Sequence, residues 1–131
     1  MAKMPLVLVP GLTCTRALWG AQIAALSDVA DIHVGDHTQD DTMAAIARRI
    51  LAAAPAKFAL AGLSMGGYIA FEIMRQAPER VVRLALLDTK ATLDPPEATL
   101  AAWLDRAVLD GHLWSQSRTW DPEGILSTFP A

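Results

Sequence analysis

Short apolar runs alternate along the chain with longer segments in which apolar residues recur every three to four positions. Four such runs, each closed by a turn or a polar residue, are typical of buried parallel strands; they cover residues 6–9, 32–34, 58–63 and 81–87. The intervening segments have the spacing of amphipathic helices, at residues 16–26, 41–54 and 65–76. This alternation predicts a three-layer α/β fold, in which helices cover both faces of a parallel sheet.

Cap and breaker residues mark the ends of the predicted helices. Asp41 or Thr42 is expected to cap the second helix, and Pro55 follows its end. The third helix begins directly after the third strand and stops before Pro78.

The pattern changes after Asp88. Residues 94–97 indicate a loop and a helix start, residues 98–109 fit a helix, and residues 111–131 have no clear period. The sequence therefore predicts an α/β core over residues 1–90, followed by a helical cap-like segment and an irregular tail over residues 91–131.

Composition and charge narrow the range of functions. Hydrophobic residues make up 53% of the chain and charged residues 19%, which fits a globular protein rather than a disordered one. A net charge of −3 argues against nucleic-acid binding. The single cysteine, Cys14, excludes an internal disulfide framework and a cysteine-built zinc site. No apolar run has the length of a membrane span or a signal peptide, which predicts a cytoplasmic protein without a membrane partner.

The most informative motif joins the third strand to the third helix. It reads Gly62-Leu63-Ser64-Met65-Gly66-Gly67. The pattern G-x-S-x-G at such a junction places a serine on a strained turn, with its hydroxyl exposed above the sheet. Ser64 is therefore a candidate nucleophile. The alternative is that this segment is only a glycine-rich turn, in which the serine has no catalytic role.

A second motif, Pro10-Gly11-Leu12-Thr13-Cys14, follows the first strand. A serine nucleophile needs N–H donors aimed at the oxyanion that develops on the substrate. The N–H groups of Leu12 and Met65 are the candidates, and a plain Pro-Gly turn is the alternative. If both groups reach one oxygen, the first and third strands must be neighbours. This requirement predicts the spatial strand order second, first, third, fourth.

These residues resemble the N-terminal half of α/β-hydrolase-fold proteins, over about residues 5–89. The resemblance lies in Leu6-Val7-Leu8-Val9-Pro10-Gly11, Leu18-Trp19, Gly62-Leu63-Ser64-Met65-Gly66-Gly67-Tyr68 and Ala77-Pro78-Glu79-Arg80-Val81. It is greatest to small bacterial esterases and lactonases, although Pro10 stands where their first loop usually has histidine. The resemblance implies a serine hydrolase of small carboxylic esters, thioesters or lactones, which acts without a cofactor through an acyl-enzyme on Ser64.

The family's acid and histidine base normally follow strands that come later than Asp88. The chain is therefore expected to form a partial α/β-hydrolase fold that lacks the last strands. The family's order of serine, acid and histidine is met here by Ser64, Asp88 as candidate acid and His112 as candidate base. The carboxylates around His37 are better explained as loop and helix caps, so no metal site is expected.

The missing strands also suggest a different class of function. The alternative to an enzyme is an inactive, truncated relative that serves as an oligomerising or binding module. The apolar strand at residues 81–87 would lie at the edge of the sheet, and such an edge invites association. We therefore expect a homodimer or a higher oligomer, in which a second copy or its exchanged tryptophan-bearing tail covers this edge, unless residues 111–131 cover it within one chain.

Overall fold

Residues 2–91 are described by the computed structural model, and they form a four-stranded parallel sheet between helices. The strands are β1 (Met4–Val9), β2 (Ala30–Val34), β3 (Phe58–Leu63) and β4 (Val81–Leu87). The helices are α1 (Gly20–Leu26), α2 (Met43–Ala53) and α3 (Met65–Gln76). Short 3-10 turns at Arg16–Trp19 and Pro78–Arg80 precede α1 and β4.

The strands lie in the order β2-β1-β3-β4, all parallel, as predicted. Val9 at the end of β1 lies opposite Gly62 near the end of β3, and Leu63 lies opposite Leu87 of β4. The chain therefore runs outward from β1 to β2 and returns across β1 to β3. Ligands of open α/β sheets bind at such a reversal, beyond the carboxyl ends of the strands.

Alternation along the strands divides the apolar core between the two faces of the sheet. On one face, Val7 and Phe58 belong to the larger cluster, which α2 and α3 complete with Ile50 and Ile73. On the opposite face, Leu8 and Ala61 pack against Trp19, which is 3% exposed. The predicted three-layer α/β fold class is confirmed.

Two helix boundaries refine the sequence expectations. Thr42, rather than Asp41, caps α2, because its hydroxyl accepts a hydrogen bond of 3.1 Å from the N–H of Ala45. The segment expected as one helix over residues 16–26 is a 3-10 turn followed by α1. Such turns are frequent at helix N-termini, and here the turn ends at the buried Trp19.

Among residues 2–91, no helix is long and apolar enough to cross a membrane. The helix expected over residues 98–109, the tail over 111–131 and the candidate base His112 lie outside the described residues.

Candidate active site

Ser64 occupies a strained turn between β3 and α3. Its backbone has φ 54° and ψ −117°, and the residue is exposed. A non-glycine residue in such a sparsely populated region costs about 1–3 kcal/mol and persists only when its surroundings hold it. The predicted strained and exposed serine is confirmed.

Glycines around Ser64 allow strand and helix to approach closely. A Cβ placed on Gly62 would lie 2.7 Å from the carbonyl carbon of Gly66. A Cβ on Gly66 would overlap the carbonyl oxygen of Val9 and lie 2.8 Å from that of Pro10. Real Cβ atoms do not make such contacts with backbone, so α3 can begin at this place only with glycine at these positions.

The loop after β1 lies against the same turn. The N–H of Cys14 donates to the carbonyl of Gly11 at 3.1 Å, and Thr13 has φ 61°, the positive φ that a type II turn requires. A Cβ on Gly11 would lie 3.5 Å from the Cβ of Ser64. The exposed Leu12 therefore follows a residue that is close to the candidate nucleophile.

The end of β4 borders Ser64 on the other side. The N–H of Ser64 donates to the carbonyl of Leu87 at 3.0 Å, and the Thr89 hydroxyl donates to the carbonyl of Ser64 at 2.9 Å. Asp88, between them, has φ 46°. Here the chain surrounds an open hollow of about 260 Å³, which is lined by Ser64, Tyr68, Asp88, Thr89 and Lys90. The structure thus brings Ser64 and the candidate acid Asp88 together.

The described histidines lie elsewhere. His33 is on β2, where its Nε2 lies 3.1 Å from a carboxylate oxygen of Asp31, and neither it nor His37 lines the hollow. Within residues 2–91, no group of three or more histidine, cysteine, aspartate or glutamate side chains could hold a metal ion.

Two ion pairs shift pKa values outside the hollow. A hydrogen bond from Arg49 lowers the pKa of Asp40, and one from Arg75 lowers the pKa of Glu72. Both pairs are exposed and lie outside the candidate site: Asp40 precedes α2 and pairs with Arg49 of α2, and Glu72 and Arg75 are both in α3.

Sequence reasoning missed Thr89. It singled out Asp88 as the polar residue after β4, but the neighbouring threonine makes the direct contact with Ser64. The available signal was its position just beyond a strand next to the serine strand, since the carboxyl ends of adjacent parallel strands meet at one edge of the sheet.

Comparison with known proteins agrees with this geometry. A family model described as the alpha/beta hydrolase fold matches residues 4–123. The chain is similar to a thermophilic esterase from Thermogutta terrifontis, with 31% identity and a TM-score of 0.67 over 88% of this chain and 48% of the esterase. It is also similar to the enol-lactonase from Burkholderia xenovorans LB400, with 25% identity and a TM-score of 0.65 over 98% of this chain and 49% of the lactonase.

A hydrolase from Pseudomonas aeruginosa PA01 shares the fold, with 23% identity and a TM-score of 0.66 over 94% of this chain and 56% of that protein. The chain spans about half the length of these solved relatives. No curated protein matches the sequence.

Proposed function

The chain belongs to the α/β-hydrolase fold family, and from this premise we propose that it acts as a serine hydrolase of small carboxylic esters, thioesters or lactones. The observation that carries the proposal is the exposed Ser64 on its strained turn, at the point where the strand order reverses. The similar solved structures include an esterase and an enol-lactonase, which supports this substrate class.

The proposed reaction begins when Ser64 Oγ attacks the carbonyl carbon of the substrate. The carbonyl oxygen becomes an oxyanion, which the N–H groups of Met65 and Leu12 stabilise by hydrogen bonds. The oxyanion then collapses and expels the alcohol, thiol or lactone oxygen, which takes up the proton lost by the serine. Water then attacks the carbonyl carbon of the acyl-enzyme, the bond from that carbon to Ser64 Oγ breaks, a proton from the water passes to Ser64 Oγ, and the carboxylic acid leaves.

Met65 is suited to this role because it is the first residue of α3. The first N–H groups of a helix have no acceptor within the helix, and the helix dipole favours negative charge near them. Leu12 lies one residue beyond Gly11, which closely approaches Ser64. Two donors on either side of the nucleophile are the arrangement that oxyanion stabilisation requires.

Proton transfer from Ser64 involves two further residues in the proposal. Asp88 shares the hollow with Ser64 and is the proposed acid. The proposed base is His112, which follows Ser64 and Asp88 in the chain. A serine without a base is a poor nucleophile at neutral pH. The position of His33 and His37 away from the hollow favours the second candidate function, a binding module without catalysis.

Covalent labelling tests the proposed nucleophile. A fluorophosphonate probe should modify the folded protein, and mass spectrometry of the peptides should place the label on Ser64. Ser64→Ala should abolish labelling and ester hydrolysis with little change in stability, because the residue is exposed. Ser27→Ala, which changes an exposed serine at the end of α1, is the matched control and should keep both.

The same assay separates the two functions. Absence of labelling in folded wild-type protein contradicts the enzyme and supports the binding module. His112→Ala should lower the labelling rate by about 10²-fold or more, because that is the usual contribution of a general base. The control His37→Ala should leave the labelling rate unchanged. Full reactivity in His112→Ala eliminates His112 as the base and leaves Ser64 as the nucleophile.

A further inference from the structure

The side chain of Thr89 contacts the turn that contains Ser64. Its hydroxyl donates a hydrogen bond of 2.9 Å to the carbonyl oxygen of Ser64. The rest of its side chain lies against Gly67, where an added Cβ would come within 2.6 Å of the Thr89 Cβ. The Thr89 side chain thus occupies the space that the missing side chain of Gly67 leaves open.

Hydrogen bonds from two directions hold the strained backbone of Ser64. The first turn of α3 supplies the N–H of Gly67, which donates to the Ser64 carbonyl at 2.9 Å. The end of β4 supplies the Thr89 hydroxyl and the carbonyl of Leu87, which accepts from the Ser64 N–H at 3.0 Å. A conformation of this kind is maintained by its surroundings, so the end of β4 contributes to the shape of the turn.

The peptide bond after Ser64 connects this hydrogen bond to the proposed chemistry. A peptide group is planar, so the carbonyl of Ser64 and the N–H of Met65 belong to one rigid unit and point in opposite directions. A donor that fixes the Ser64 oxygen therefore also fixes the direction of the Met65 N–H. Hydrogen bonding at the oxygen also polarises the amide and strengthens the N–H as a donor.

We propose that Thr89 is a positioning residue, which orients the Ser64–Met65 peptide so that the Met65 N–H points at the oxyanion. The inference rests on the proposed function and adds a residue to it. Thr89 acts through the peptide rather than on the substrate. Its loss should therefore lower kcat and leave KM nearly unchanged, because the oxyanion exists only after the nucleophile has attacked.

The test compares two substitutions at this position. Thr89→Val keeps the shape of the side chain and removes the hydroxyl, and it should reduce kcat for a short-chain nitrophenyl ester, and the rate of fluorophosphonate labelling, by about tenfold. Thr89→Ser keeps the hydroxyl and should restore both to within about threefold of wild type. This rescue distinguishes the hydrogen bond from the packing of the methyl group.

Thr42→Val is the matched control. It removes a threonine hydroxyl that caps α2 and does not line the hollow, so it should destabilise the protein without changing kcat. A fall in kcat of Thr42→Val equal to that of Thr89→Val would mean that lost stability explains both, which overturns the inference. The positioning role is equally contradicted if Thr89→Val reacts at the wild-type rate or if Thr89→Ser fails to restore it.

Amide hydrogen exchange gives a second readout that does not depend on catalysis. In Thr89→Val, exchange at the hydrogen-bonded amides of Ser64 and Gly67 should accelerate, while that of the β1 amides should not. If wild-type protein is not labelled by the probe but this acceleration occurs, the proposed function fails and the role of Thr89 in holding the turn stands. If labelling occurs and exchange is unchanged in Thr89→Val, the positioning role is wrong and the proposed function stands.

Discussion

The site depends on close backbone contacts at single residues, and Gly66 shows this most directly. An alanine there would place its Cβ against the carbonyl oxygens of Val9 and Pro10, neither of which is a flexible side-chain atom. We expect Gly66→Ala to lower the free energy of unfolding by about 1–3 kcal/mol, the usual cost of overpacking. It should also slow the labelling of Ser64 by about tenfold or more, because α3 must shift relative to the β1 loop.

Urea unfolding and the labelling rate measure the two effects of Gly66→Ala. Gly20→Ala is the control, since nothing lies within 4 Å of the added Cβ and Gly20 has a helical φ of −53°. It should leave labelling unchanged and stabilise the protein by up to about 1 kcal/mol. If Gly66→Ala is as stable and as reactive as Gly20→Ala, the close approach of α3 and β1 is not required.

At the residue scale, the local sequence was sufficient to predict the strained turn at Ser64, but it was insufficient to predict the contact between Thr89 and Ser64. The strained turn of Ser64 follows from a six-residue pattern in which every glycine has a steric reason. The contact between Thr89 and Ser64 joins residues 25 positions apart, and it exists only because β3 and β4 are neighbours. The order of the strands was predicted, but the sequence pattern does not specify which residue after β4 contacts Ser64.

At the scale of elements, the side chain of Arg80 links the turn before β4 to the end of α2. Its guanidinium donates to four carbonyl oxygens at distances of 2.7–3.2 Å, those of Leu51, Ala54, Pro55 and Ala56. The last carbonyls of a helix have no donor within the helix, so an arginine that reaches several of them stabilises the end of α2. It also lies 5.6 Å from the centre of the Phe58 ring.

We expect Arg80→Lys to lower the free energy of unfolding by about 1–3 kcal/mol, because an ammonium group cannot reach this set of acceptors at once. Arg83→Lys is the control, since the Arg83 guanidinium donates to the Val82 carbonyl, its own neighbour in the chain. It should change stability by less than about 0.5 kcal/mol. Equal midpoints of urea unfolding for the two variants would contradict this role of Arg80.

Elements with strong periodicity were predicted to the residue, whereas the first helical segment was not. β3 and α3 have the predicted bounds, Phe58–Leu63 and Met65–Gln76, because a continuous apolar run changes to helical spacing on either side of Ser64. Over residues 16–26, the same spacing fits a 3-10 turn and an α-helix equally well. The position of Trp19, buried under the sheet beside Leu8, is a tertiary contact that local spacing does not specify.

At the scale of the whole molecule, the strand order was predictable because the proposed chemistry demands it. Two donors can share one oxyanion only if the loops after β1 and β3 are adjacent, and β1 does pair with β3. The chemistry sets no such requirement for the outer edge of β4, and the sequence does not specify which part of a chain lies along it. Measurements of the mass of the protein in solution are therefore most informative about this edge.

The last prediction concerns β4, which pairs with β3 along one side and with no other strand among residues 2–91. Leu84 and Leu86 are each 41% exposed, and an edge strand with unpaired backbone and exposed apolar side chains invites pairing with another chain. We propose that two copies of the 131-residue chain associate along β4. A twofold axis makes the two β4 strands antiparallel. Placing this axis at Leu84 sets Arg83 opposite the second copy's Ala85, which keeps the two arginines apart.

Light scattering at micromolar concentration should give a mass of at least twice 14.0 kDa. Leu84→Lys combined with Leu86→Lys should shift the protein toward monomer. The control Val29→Lys, at a residue that precedes β2 and is 64% exposed, should not. A wild-type mass of one chain, or a dimer that persists with both lysines, would show that β4 is not the surface through which the copies associate.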